Sequence, residues 1–382
     1  MYRLSRVKIS GFRRLNEVDL TVRPFMALIG ANGVGKTSLL DAFSILSASA
    51  SGNLNAKLSR LGGISSLLTR GKSEDISFVV DMDVHGYKPL EYEIHLTPSV
   101  NGYVISKEIL SQENERFNGP FKYIDSSDGD IRYYELNSNR LVRPEWEHNP
   151  LETSLAQVPK MYRQPEELRR ILATATQYHA LDVSSRAPVK LPQPMKPATL
   201  PGSDGEDLVP YLYYLRETDR NRFDLIVDSL AAAFPDFKTL SFPPVAAGML
   251  AMTWNDRRFG KPFYMNELSE GTLRFLWLVS MLQSPHLSTV TMIDEPEISL
   301  HPELLSLLAD LMREASKRTQ LIVATHSDRF IRFLQPAEVV VMDVDEAGCT
   351  TATWADSLDL DHWLKEYSLD EVWRMGRMGG RS

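Results

Sequence analysis

The feature that most constrains this chain is an octapeptide near its start, Gly30-Ala31-Asn32-Gly33-Val34-Gly35-Lys36-Thr37. An apolar run, Phe25 to Ile29, leads into it, and after it Leu39, Leu40, Phe43 and Leu46 recur at helical spacing. The loop therefore joins a buried strand to a helix N-terminus. Glycines let successive backbone N–H groups close around phosphate oxygens, and the helix end favours negative charge. This is the P-loop pattern. Lys36 is expected to neutralise the β- and γ-phosphates and Thr37 to ligate Mg²⁺, with Gly30, Asn32, Gly33, Gly35 and Ser38 completing the nucleotide contacts. ATP and Mg²⁺ are the expected ligands.

A second apolar run, Val290 to Ile293, ends in Asp294-Glu295-Pro296-Glu297. Alone, such a pair reads as a solvated loop. Beside a P-loop, adjacent carboxylates at a strand end can divide the work: Asp294 holds the Mg²⁺ shell and Glu295 takes a proton from the attacking water. A third run, Leu321 to Val323, leads to Ala324-Thr325-His326-Ser327. At the end of a neighbouring parallel strand His326 would face the crevice where such sheets bind ligands, as a γ-phosphate sensor. Asp343 and Asp345 read as a strand end, and no other carboxylate cluster follows a strand to suggest a nuclease centre.

With 382 residues, 43% hydrophobic and 24% charged, the chain can bury one large core or two smaller ones and is not of disordered composition. Its net charge of -8 excludes general attraction to polyanions and confines any such contact to local patches. Arg13/Arg14, Arg169/Arg170, Arg257/Arg258/Lys261 and Arg374/Arg377/Arg381 are the candidates, each of which reads more readily as a solvated face or an internal ion pair. The single cysteine, Cys349, excludes an internal disulfide and a multi-cysteine zinc site. The start lacks the apolar centre of a signal peptide, and no run reaches the roughly 18 apolar residues of a membrane span. A cytoplasmic protein without stable membrane insertion is expected.

Along the chain, residues 1–60 carry the first strands and the P-loop, and 61–150 turn to period two, with turns at His85-Gly86 and Asn101-Gly102, an antiparallel β region. Residues 151–265 form a helical insert, with helical text at 160–180 and 206–233 joined by a proline-rich connector at 186–205. Residues 266–382 alternate helix 270–283, strand 289–293, helix 302–317, strand 320–324, helix 327–334 and strand 338–344. Strands separated by helices imply a parallel sheet with helices on its faces. The expected fold is α/β, a P-loop core shared by the two ends of the chain with the middle inserted.

Leu268-Ser269-Glu270-Gly271-Thr272 opens a helix upstream of the acidic strand. By itself Ser-x-Gly there is an N-cap. In this order it resembles the ABC signature in the form seen in RecF-like, SMC-like and OLD-type ATPases. Ile9-Ser10-Gly11-Phe12-Arg13 is similar to that group's opening strand, Glu295 to Pro302 to its Walker B and D-loop, and Ala324 to Ser327 to its switch histidine. The nearly full-length resemblance, tail Leu369–Trp373 and Met378–Gly380 included, is to stand-alone bacterial predicted ATPases with AAA and ABC-like motifs. It implies an ABC-type ATPase head that forms a homodimer on ATP binding, nucleotide on one subunit being capped by Ser269 and Gly271 of the other. It also implies a clamp or switch in DNA repair or in defence against phage and foreign DNA, with DNA and a separately encoded nuclease or other effector as partners. Two departures stand out: Gln177 and Gln193 are both conceivable Q-loop residues and neither is assigned, and the insert lacks the heptads and cysteine hook of long-armed relatives. The alternatives are an ATPase subunit of a membrane transporter and a nucleotide-gated scaffold with negligible turnover.

Overall fold

The computed structural model describes residues 2–100, 102–113, 119–128, 130–160, 163–360 and 362–380. Asn101 of the expected turn, the start of the helical text at Met161 and Tyr162, and Arg381 lie outside them. The N-terminal part runs β1 (Arg3–Ser10), β2 (Val18–Thr21), β3 (Phe25–Ile29), α1 (Lys36–Ser51), α2 (Leu54–Arg60) and α3 (Ile64–Leu67). Then come β4 (Ile76–Asp83), β5 (Leu90–Ser99), β6 (Gly102–Gln112), β7 (Phe121–Ser127), β8 (Tyr133–Glu135) and β9 (Arg140–Val142). These six strands and the first two form an antiparallel sheet, order β2-β1-β4-β5-β6-β7-β8-β9. Its strict alternation, as in β4 with Ile76, Phe78, Val80 and Met82 buried, packs one face against the core.

The insert holds α4 (Ser154–Gln157), α5 (Arg163–Ala173), β10 (Thr176–Tyr178), β11 (Gln193–Pro194), α6 (Leu208–Thr218), α7 (Arg220–Ala233), β12 (Phe237–Ser241), β13 (Pro244–Val245), β14 (Met249–Leu250), β15 (Thr253–Asp256) and β16 (Phe263–Tyr264). The fully buried Glu108 fastens it to the antiparallel sheet, accepting hydrogen bonds from the N–H groups of Ser154 (2.6 Å) and Leu155 (2.8 Å) and the Tyr92 hydroxyl (3.0 Å). The proline-rich connector is pinned rather than free: Gln193 donates to Pro188 and Gly205 carbonyls and accepts from the Val209 N–H. That spends its amide on packing and removes it as a Q-loop residue.

The last third gives α8 (Glu270–Leu282), β17 (Val290–Asp294), α9 (Leu304–Ser316), β18 (Gln320–Ala324), α10 (Asp328–Ile331), β19 (Val339–Val344), β20 (Thr350–Trp354) and α11 (Leu369–Arg374). With β3 and β10 these strands build the second sheet, order β10-β17-β18-β3-β19-β20, parallel except for β20. β3 is buried at every residue, because Met26 and Leu28 join the core shared with α1 and the antiparallel sheet, while Ala27 and Ile29 join the core under α8 and α9. On α9, Leu304, Leu305, Leu308, Leu311, Met312 and Ala315 are buried on one helical stripe. The amide of Gln320 completes the junction between the two sheets, accepting from the Leu4 N–H and donating to the Leu4 carbonyl at 2.8 Å each. The α/β expectation holds. Two details differ: 160–180 breaks after Ala173 into β10, which borrows the edge of β17, and the helix expected at 327–334 is a single turn.

Candidate functional site

Gly35 enters α1 in a left-handed conformation (φ 110), no side chain caps the helix, and its first turn carries no acidic residue. The first N–H groups thus face outward for an anionic ligand. Gly33 (φ 78) has nothing within 4 Å of where a Cβ would sit, so the loop faces open space. Gly30 is fixed by packing instead: a Cβ there would lie 2.3 Å from the Met342 carbonyl oxygen. Lys36 is buried, and its ammonium donates to the Gly30 and Ala31 carbonyls at 2.6 and 2.8 Å, folded over the loop it would leave for phosphate.

Burial pushes the Lys36 ammonium down to about 8, although Glu295, Asp294 and Glu297 pull it up. A bound polyphosphate favours the cation, so the bound pKa is higher than the free one. ATP affinity is then level below pH 8 and falls above it, by at most about tenfold per pH unit. Calorimetry between pH 7 and 9 checks this, and a flat profile would contradict it.

β18 lies between β3 and β17, so the acidic pair stands one strand removed from the P-loop, with His326 from the intervening strand between them. Glu295 adopts φ 50, its N–H bonded to the Ala324 carbonyl at 2.8 Å, a conformation unusual for a residue with a Cβ. The turn lifts its carboxylate out of the sheet to 3.4 Å from Nε2 of His326. Burial, and then Lys36, lower the His326 pKa against the pull of Glu295, which keeps the ring neutral at neutral pH. Burial, and then Glu295, raise the Asp294 pKa, the setting of a carboxylate that gains from a cation. Gly30, Ala31, Asn32, Glu295 and His326 line one cleft of about 680 Å³.

Ser269 and Gly271 are not in it. Ser269 caps α8, accepting from the Thr272 N–H at 3.2 Å, in an aromatic groove with Phe234, Trp254, Phe259 and Phe263. Gly271 has a reason within the chain: a Cβ would come 2.5 Å from the Ser299 carbonyl oxygen, so the signature helix rests on the turn leaving β17.

Sequence reasoning passed over several neighbours of the cleft. Glu297 accepts from the Thr325 hydroxyl at 2.5 Å and the His326 N–H at 3.3 Å, tying the histidine loop to the acidic turn; the doubled Glu-Pro-Glu was the available signal. Arg13, read as part of a basic patch and as the end of the opening-strand motif, pairs with Asp41 at 2.7 Å and reaches Ser38 at 3.4 Å beside the loop. Trp373 and Gly380 line the cleft, and Asp343 holds the Gly380 N–H at 2.8 Å. Gln177, one of the two conceivable Q-loop residues, sits on β10 opposite Met292 with its amide nitrogen buried; His179 just beyond, which sequence reasoning did miss, lies close enough to act electrostatically on Asp294.

The residues fit nucleotide with Mg²⁺: an open glycine cradle, a buried ammonium, and hard oxygen donors in Thr37 and Asp294. The fold and this cleft define a P-loop ATPase with the architecture of an SMC head. It is similar to an SMC head bound to the C-winged helix domain of ScpA (15% identity, 92% of this chain and 97% of that one, TM-score 0.57). It is also similar to an Smc head domain with an extended coiled coil bound to the C-terminal domain of ScpA from Pyrococcus furiosus (13%, 99% and 99%, TM-score 0.53). A third likeness is the Smc head domain with a coiled coil and joint from Pyrococcus yayanosii (12%, 98% and 100%, TM-score 0.50). No curated protein matches the sequence. Residues 25–332 match the family described as "AAA domain, putative AbiEii toxin, Type IV TA system", and the chain belongs to that family. Among the described residues, no helix is long and apolar enough to cross a membrane.

Proposed function

We propose that two copies of this chain meet head to tail and hydrolyse ATP at composite sites, each joining Gly30–Ser38, Asp294, Glu295 and His326 of one copy to Ser269 and Gly271 of the other. The observation that carries this reading is the separation of the two clefts. Ser269 sits exposed at the N-terminus of α8 in a groove that shares no residue with the P-loop cleft, so its helix end is free to cap a second copy's phosphates. Within a site, Lys36 offsets phosphate charge, Glu295 takes the proton of the attacking water, and neutral His326 orients on the γ-phosphate. Mg²⁺, held through Thr37 and Asp294, supplies charge neutralisation at the phosphates.

Such a dimer works as a clamp or switch, closing with ATP and opening after hydrolysis, in DNA repair or in defence against foreign DNA with a separately encoded effector. The family description, which names a toxin of a toxin–antitoxin system, supports the defence setting. Single-turnover hydrolysis with and without DNA tests the DNA part: an unchanged rate speaks against it.

Ser269→Arg tests the assembly. It should leave ATP binding by the monomer intact while abolishing hydrolysis and the ATP-dependent dimer, because a bulky cation enters a close-packed interface. A heterodimer of Lys36→Ala with Ser269→Arg places both defects in one site, so it should show about half the wild-type activity if the sites are independent. A Ser269→Arg chain that hydrolyses ATP normally as a monomer rules out the composite site.

A further inference from the structure

Arg274 lies on α8, five residues after Ser269 and so on a different side of the helix. Its Nε and Nη1 are buried and make no hydrogen bond. The residue as a whole is half-buried, yet leaving two buried N–H groups without an acceptor is costly. The side chain borders a cavity with room for no more than about one water. His179, Asp294, Glu295 and Ile298 line the same cavity, so Arg274 and the acidic turn border one small space, and Glu295 also lines the P-loop cleft. The charge of Arg274 is also felt at Asp182, whose carboxyl is held low mainly by hydrogen bonds from Ser184.

A second contact ties the same helix to the same turn. Gly271 lies so close to the Ser299 carbonyl that no side chain fits, and Ser299, like Glu295, adopts a left-handed backbone (φ 61 and 50). Both conformations are sparsely populated for residues with a Cβ and persist only where the surrounding structure fixes them. A shift of this turn would move the support on which the first turn of α8 rests.

We infer that Arg274 is a positioning residue that couples the chain's own Asp294–Glu295 turn to the Ser269 it presents to the second copy. Binding of nucleotide draws the acidic turn into register, one of its carboxylates accepts from Arg274, and α8 is set at the angle that places Ser269 on the other copy's phosphates. The inference rests on the composite-site reading and adds to it a direction of communication, from one site to the next through α8. Arg274 itself touches no nucleotide.

The test uses full-length heterodimers with one working site. In the first, Arg274→Met and Ser269→Arg share a chain and the partner is wild type, so the working site combines the altered acidic turn with an unaltered signature. In the second, one chain carries Arg274→Met alone and the partner carries Ser269→Arg, so the working site receives only the altered chain's signature, and that chain still binds ATP. Each is compared with its parent pair retaining Arg274. The expected result is a fall in kcat of about tenfold or more in both, the scale of losing a hydrogen bond to a charged group. Arg274→Lys should restore part of it, ATP affinity of the isolated chain should stay unchanged, and its melting temperature should not fall, because Arg274→Met removes two unpaired buried N–H groups. A loss confined to one arrangement, no loss in either, or a loss accompanied by weaker ATP binding of the isolated chain would each overturn the coupling. If Arg274→Met folds poorly, Arg274→Lys alone decides: full activity in both arrangements overturns the need for a planar donor at this site. Parent pairs without activity would show instead that the composite site is wrong, and the coupling would fall with it.

Discussion

Glu295→Gln is expected to lower ATP turnover by about 10²–10⁴-fold while ATP and Mg²⁺ remain bound. The amide keeps the side chain's length and shape, and the backbone at φ 50, held by the Ala324 carbonyl, has no cause to move. The proton acceptor is lost, along with the negative charge that stands 3.4 Å from His326. Removing that charge also removes the pull that opposes burial and Lys36 at the histidine, so His326 stays neutral in the variant. The ATP-dependent dimer should therefore accumulate, since closure persists and hydrolysis does not. Wild-type turnover in steady-state assays would place the base elsewhere, and Glu297, half-buried and already engaged by Thr325 and His326, would be poorly placed to replace it.

Lys36→Ala should weaken ATP binding by about 10²-fold, because a charge-assisted hydrogen bond to phosphate contributes about 1.5–3 kcal/mol and the backbone cradle cannot offset the triphosphate alone. The fold should survive. Lys36 makes its only hydrogen bonds among the described residues to the Gly30 and Ala31 carbonyls, and both border the open cleft where water can take its place. Calorimetry on the folded variant reads the effect directly; unchanged affinity would refute the phosphate-loop assignment.

The parts of this molecule that sequence made visible are those where chemistry and local periodicity coincide. β3, β17 and β18 are short, apolar on both faces and followed by their candidate site residues, so strand, loop and the end of the sheet that each site residue occupies could be read together from local text. β10 could not. Thr176, Gln177 and Tyr178 have no pattern of their own and become a strand only because β17 offers an edge. The same non-locality hid His179, Arg274 and the approach of Gly380 to Gly30, which depend on segments distant in sequence being folded onto one another. Gly271 shows a further limit: its type was explained by the motif, while the structure adds a packing reason inside its own subunit.

The junction at Leu4 and Gln320, 316 residues apart, has a consequence for how the protein is made. β3 emerges from the ribosome early, yet both its sheet neighbours, β18 and β19, come from the last part of the chain. At about 5–20 residues per second, a fully apolar strand waits on the order of 15–60 s with both edges unpaired. During that wait β1 and β2 can already pair with the antiparallel strands that follow, giving the nascent chain a scaffold that keeps the phosphate loop tethered but unformed. A messenger cut short before Gln320 therefore yields a chain that carries the whole phosphate-loop sequence and still cannot hold ATP, and release of the last strands is the moment at which the enzyme begins to exist.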